Sequence, residues 1–146
     1  MKPRDFLDVA HELIAGTSEA DWRSAVSRAY YAAFHVARAL LEDAGFSVPA
    51  SDRAHGYLWL RLANSGHPDV RVAGNHLQAL RSKRNWADYD IDRPMPHHFA
   101  SGEIRLAETI METLETAAAE PVIRARIVDA IKVYERDVLR DVTWQA

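Results

Sequence analysis

Helical spacing of apolar residues runs through this chain and breaks only at glycines, prolines and short polar clusters. The alternating runs rich in valine, isoleucine and threonine that mark strands are nearly absent. Such a chain can bury its apolar side chains only by packing helix on helix, so the fold class is all-α. The breaks fall at Gly16, Gly45, Asn64-Ser65-Gly66, Asp92-Arg93-Pro94-Met95-Pro96 and Glu120-Pro121. Between them the spacing predicts helices over about Arg4–Ala15, Glu19–Ala44 and Asp52–Ala63. A fourth opens at Pro68 and runs to Ile91, a fifth covers His98–Ala118, and a last one runs from Pro121 to near Arg140. Gly16 is expected as a helix-end residue, and Ser18-Glu19-Ala20-Asp21 resembles a capping box. Pro121 suits a first helical turn.

Short connections between long helices favour an antiparallel up-down bundle, with the C-terminal helix as an extra element. A chain of 146 residues is expected to form one domain, with its core over about 4–118 and the extra helix over about 121–140. The balance of 48% hydrophobic and 27% charged residues excludes a disordered or collagen-like chain. Zero cysteines exclude disulfides, thiolate metal sites and cysteine nucleophiles. No apolar run approaches the roughly 20 residues that span a bilayer, and Met1-Lys2-Pro3-Arg4-Asp5 lacks the apolar core of a signal peptide, so a cytoplasmic location is expected. The net charge of −3 argues against broad binding to nucleic acid, yet Arg71, Arg81, Lys83 and Arg84 cluster in one segment and permit a small basic cleft.

Within the fourth helix, Ala73, Leu77, Leu80, Ala87 and Ile91 form one apolar stripe, and Arg84 lies on it. A guanidinium that keeps its proton is rarely turned toward a core without a partner or a ligand. Asp88, four residues on, can supply the partner, which makes a structural ion pair one reading. In the other, Arg84 binds a phosphate while Asn85, Asp88 and Tyr89 position or polarise the rest. Spacing does not choose between them.

The second helix carries Trp22, Val26, Ala29, Ala33, Val36, Ala37 and Leu40 as its apolar stripe, widened by Tyr30, Phe34 and Leu41. Ser24, Ser27, Arg28, Tyr31, His35 and Glu42 fall on the other side. Arg28, Tyr31 and His35 stand in line, either as a solvated face or, looking across a groove at Arg84, as a set that includes a group titrating near neutrality. His97-His98 point apart on a helix, and no pair of histidines four apart with a neighbouring glutamate occurs, so no metal site is expected. No glycine-rich phosphate loop or Gly-x-Ser-x-Gly elbow is present, and no cofactor is expected. His11 and Glu12 read as surface; Trp22, Trp59 and Trp86 read as core or interface anchors.

Two segments, Ser27-Arg28-Ala29-Tyr30-Tyr31-Ala32-Ala33-Phe34-His35 and Leu80-Arg81-Ser82-Lys83-Arg84-Asn85-Trp86-Ala87-Asp88-Tyr89, together resemble the HEPN superfamily over roughly Phe6 to Ala118. The likeness is to its small stand-alone bacterial branch with an Arg-Asn-x-Ala-Asp-Tyr signature. This resemblance implies an up-down helical bundle that dimerises, and a metal-independent endoribonuclease of the kind found as a toxin beside a nucleotidyltransferase antitoxin or in other defence systems. In active members an arginine is followed, after four to six residues, by a histidine, and paired copies across the dimer form the RNA-cleaving groove. Arg84 matches the arginine and Asn85 the adjoining polar residue. The histidine is missing, because the corresponding places hold Tyr89, Asp90 and Ile91.

The reaction so implied is attack of an RNA 2′-hydroxyl on its own phosphate. Arg84 would stabilise phosphate charge, with Asp88, Tyr89 or His35 handling protons and Asn85, Arg28, Tyr31 and Arg81 lining the substrate path. A phenol with an unperturbed pKa of about 10 makes Tyr89 a poor base at neutral pH. The tyrosine that receives nucleotides from the partner enzyme in the toxin branch is replaced by Ile91. The alternatives are a non-catalytic RNA- or nucleotide-binding module, a nucleotidyltransferase-partner subunit, or an interaction dimer with no ligand.

Overall fold

Alanine is concentrated in the second helix, and that decides which helix stands at the centre. In the computed structural model, which describes residues 1–145, α2 spans Glu19–Asp43 and buries Ala25, Ala29, Ala32, Ala33 and Ala37 completely. Side chains this small let neighbouring helices approach closely. Against it pack α1 (Pro3–Ile14), α4 (Pro68–Tyr89) and α5 (His97–Ala119), while α3 (Arg53–Ala63) lies mainly on α4. α6 (Pro121–Tyr134) continues as a π-helical turn over Glu135–Leu139. No strand occurs among the described residues, only an isolated bridge between Phe46 and Trp144.

Ion pairs and hydrogen bonds fix the directions. Arg4 meets Glu115 at 3.3 Å and His11 meets Glu108 at 2.7 Å, so α1 runs antiparallel to α5. Ser27 bonds Asp88, and Arg23 bonds Asp90, so α2 runs antiparallel to α4. The architecture is therefore the expected all-α antiparallel bundle. The 44–52 connection doubles back along α2, where Arg38 donates to the Pro49 carbonyl and Tyr30 meets His55. α3 and α4 then close on each other at Gly74, where an added Cβ would lie 2.6 Å from the Ala63 backbone nitrogen.

Most helix ends lie within one or two residues of expectation, and the departures have causes. α4 stops at Tyr89, leaving Ile91 beyond the helix and 76% exposed rather than on the buried stripe; Ala73, Leu77, Leu80 and Ala87 are buried as expected. The early stop follows from Arg23, whose Nη1 takes the carbonyls of Trp86, Ala87 and Asp90 at 3.0–3.2 Å and whose Nη2 takes that of Arg93. Gly16 ends no helix through a left-handed turn. The Asp21 carboxylate lies over it, 2.4 Å from where a Cβ would sit, so a larger residue here would have to displace that side chain. Ser18 Oγ does accept the Asp21 amide at 3.1 Å, the N-cap half of the expected box. The last helix is not one α-helix to Arg140, since regular winding ends at Tyr134 and the chain leaves the π-helical turn through Arg140 at φ 52°.

Two apolar cores result. The larger joins α1 to α6, with Trp59 against it. The smaller holds Val26, Ala87, Met95 and Ala100 beneath Trp22, Trp86 and Phe99, at the end of the bundle where α4 turns into α5. His11 and Glu12 are on the surface. No helix among the described residues is long and apolar enough to cross a membrane.

Candidate functional site

The last two turns of α4 present Arg84, Asn85 and Asp88, and Arg23 holds that helix end in place. A helix C-terminus carries partial negative charge and unpaired carbonyls, and a buried guanidinium satisfies both. Arg23 is itself fixed by Glu19, 3.0 Å away, whose carboxylate also accepts the Met95 amide at 2.9 Å. The Met95 amide foremost, and Arg23 with it, hold the Glu19 carboxyl below its usual range. Periodicity did not reveal Arg23; the only sequence signal was its i,i+4 spacing from Glu19.

Asp88 stands where the helix end repels a carboxylate. Two groups hold it there: Ser27 Oγ donates to Oδ2 at 3.1 Å, and Arg84 Nε approaches the same oxygen at 2.9 Å. Ser27, on the polar side of α2, is therefore buried against α4. The Arg84–Asp88 contact is one of charge without a hydrogen bond, because the Nε–H is not aimed at the carboxylate, and among the described residues it has no other acceptor. Arg84 spends one Nη1 donor on Asn85 Oδ1 at 3.1 Å, and its side chain remains only 14% exposed.

Tyr31 stands at the centre of the group. The guanidinium carbons of Arg84 and Arg28 lie 5.1 and 5.3 Å from its ring centroid, within cation–π range. Tyr89 lies 5.6 Å from the same Arg84 carbon, on the solvent side and 72% exposed. Arg81, one turn before Arg84, has an enclosed Nε with no hydrogen-bond partner among the described residues. The structure thus gathers Arg84, Asn85, Asp88, Tyr89, Tyr31 and Arg28 into one cluster with Arg81 beside it. His35 stands at its edge, with ring centroids 6.4 Å from Tyr31, stacked on Phe6 at 5.5 Å and facing a separate cleft with Lys2, Arg38 and Glu42. Burial, with the Arg38 charge next, lowers the His35 pKa.

A model of the HEPN domain matches residues 2–117. The chain belongs to the HEPN family. No curated protein and no solved structure matches it. The HEPN match ends within α5, so α6 and the tail after it lie outside the matched span.

Within this HEPN bundle α3 adds a residue that motif spacing missed. His55 is 7% exposed and packs among Tyr30, Tyr31 and Phe34, with ring centroids 5.6, 6.2 and 4.9 Å away. Its Nδ1 lies 2.6 Å from the Tyr30 hydroxyl. Burial pushes the Tyr30 phenol well above the ordinary tyrosine value. Burial first, then the charges of Arg81 and Arg84, lower the His55 pKa. The cluster can offer several guanidinium N–H donors, an aromatic face and an imidazole to an anionic ligand. No group of three or more metal-ligating side chains occurs among the described residues.

Proposed function

We propose that this HEPN protein is a toxin-type component of a toxin-antitoxin or related defence locus that binds RNA at the Arg84 groove and cleaves it without a metal ion. Arg84 carries this reading. A cation held only 14% exposed, whose Nη groups are not sealed off and make one hydrogen bond among the described residues, to Asn85, has donors to offer where burying charge is costly. Its forked geometry matches phosphate oxygens.

In this reading Arg84 stabilises phosphate charge, Asn85 orients the substrate, and Arg28, Tyr31 and Arg81 line the path. The Tyr31 ring offers a face on which a base can stack. Proton transfer falls to Asp88, Tyr89 or His35. A homodimer duplicates the set across a two-fold axis, and the exposed Tyr89 and Ile91 beside the site supply apolar surface for the second copy. A nucleotidyltransferase-type antitoxin is the partner, the cytoplasm is the location, and residues 1–146 act as one domain.

The test is cleavage of a mixed RNA pool by the purified protein in the presence of a chelator. Cleavage that disappears in Arg84→Ala is the expected result.

A second reading is a non-catalytic RNA- or nucleotide-binding subunit, or the partner subunit of a nucleotidyltransferase. It is favoured by Tyr89, Asp90 and Ile91 in the places of the motif histidine, and by Asp88 already beside Arg84. A folded dimer that cuts no RNA supports this second reading, and failure to bind RNA or nucleotide as well leaves only an interaction dimer.

A further inference from the structure

Tyr30 is 1% exposed and its hydroxyl has one hydrogen-bond partner among the described residues, His55 Nδ1. A buried phenol whose ionisation is opposed by burial keeps its proton, and with a single acceptor in reach it donates there. Nδ1 is then the acceptor, and a neutral imidazole that accepts at Nδ1 carries its hydrogen on Nε2. The groups around the ring keep it neutral: Tyr30, Tyr31 and Phe34 from α2 exclude water, Arg81 and Arg84 from α4 repel a proton, and Asp52 alone opposes them.

His55 Nε2 makes no hydrogen bond among the described residues and is not one of the sealed-off polar atoms. The Nη groups of Arg81 and Arg84 are not sealed off either, and among the described residues they make one hydrogen bond, from Arg84 Nη1 to Asn85 Oδ1. These N–H donors, from α3 and α4, surround one aromatic cluster. Asp88, the nearby carboxylate, is held by Ser27 and pairs with Arg84 at Nε, which leaves the Nη groups to a ligand. An anion with several oxygens answers such a set, and a neutral third donor adds no repulsion to two guanidiniums.

We propose that His55 is a phosphate ligand of the Arg84 groove, donating from Nε2–H to a non-bridging oxygen of an RNA phosphodiester, with Tyr30 as the positioning residue that fixes the tautomer. The proposal rests on the reading of Arg84 as a phosphate site. It assigns His55 no proton transfer: because Nε2 already carries hydrogen, the ring stabilises phosphate charge and leaves the 2′-hydroxyl proton to another group.

The test uses the full-length protein labelled with ¹⁵N and a short oligoribonucleotide made uncleavable by 2′-deoxy substitution. Long-range ¹H–¹⁵N correlation reads the tautomer, with the His55 signals assigned by their loss in His55→Phe. The expected result is the Nε2–H tautomer at pH 7, and an Nε2 shift on adding the oligonucleotide. Affinity should fall about tenfold in His55→Phe. Tyr30→Phe should lose the tautomer preference with a smaller loss of affinity.

An Nδ1–H tautomer or a charged ring at pH 7 overturns the proposal in the wild-type protein itself, whether or not the variants fold. An oligonucleotide that binds and is lost in Arg84→Ala, yet leaves Nε2 unmoved, overturns it while the Arg84 reading stands. If the wild type binds no oligonucleotide, both fall.

Discussion

Ser27 donates its hydroxyl to Asp88 at 3.1 Å, across the α2–α4 interface and from a position that is 5% exposed. This bond holds a carboxylate at a helix end that repels it, through the same oxygen that Arg84 approaches. Ser27→Ala is expected to cost about 1 kcal/mol, read as a lower denaturant midpoint with unchanged slope. An unchanged midpoint would mean that water replaces Ser27 without loss.

Asp88 competes with any phosphate for Arg84. Asp88→Asn removes the negative charge while keeping an acceptor for Ser27, so affinity for an uncleavable oligonucleotide should rise several-fold. Cleavage measured beside it separates the roles: tighter binding with lost cleavage marks Asp88 as the proton acceptor.

Arg23 is the most consequential side chain outside the motif. Its removal takes a donor from each of the carbonyls of Trp86, Ala87, Asp90 and Arg93, of which Trp86, Asp90 and Arg93 keep another, and leaves Glu19 without its cation. Arg23→Ala should destabilise the protein by about 2–4 kcal/mol. Hydrogen exchange should quicken most at the Asp90 amide, which closes the helix onto Trp86. Lysine should rescue little, since one ammonium cannot reproduce the fork.

The tail after α6 is fastened by a buried ion pair. Glu135 is fully buried and accepts from Arg61 Nε at 2.7 Å, the Thr143 amide at 2.9 Å and the Thr143 hydroxyl at 2.6 Å. Burial opposes its charge, but the Thr143 and Arg61 bonds outweigh burial and hold its pKa below the usual value. A depressed carboxyl pKa means that the stabilisation is complete above the unfolded value, about 4.3, and is lost as pH falls through the folded value. Residues 135–145 should therefore gain hydrogen-exchange rate selectively as pH drops below about 4. Glu135→Gln should weaken that dependence.

Histidines give a second, milder slope. His35 and His55 both have folded pKa values lowered, burial being the first cause in each. The unfolded chain then binds more protons, so stability should decline as pH falls from about 6.5. His55→Phe should remove part of that decline in a thermal-unfolding series over pH. An undiminished slope would assign it elsewhere.

The helical class, the break points and the Arg84 segment were all legible in the residue order. These are local properties: periodicity, proline geometry and a charged residue on an apolar stripe involve neighbours three or four apart. Ile91 shows where local reasoning ends, because the stripe continues to it but a guanidinium from another helix stops α4 first. Ser27, on the polar side of α2, is buried for a similar reason, since α2 carries apolar contacts around most of its girth and the α4 contact reaches its polar side.

By itself, then, the sequence determined an all-α chain, where its helices break, and that one arginine stands among apolar residues beside a recognisable motif. Tertiary structure alone decided that Arg23 holds the α4 end, that Ser27 holds Asp88, that Tyr30 meets His55, and that Arg61 meets Glu135. Each of these joins residues 25 to 74 positions apart. Such pairs leave no period in the sequence, because the distance between them is set by how whole helices pack.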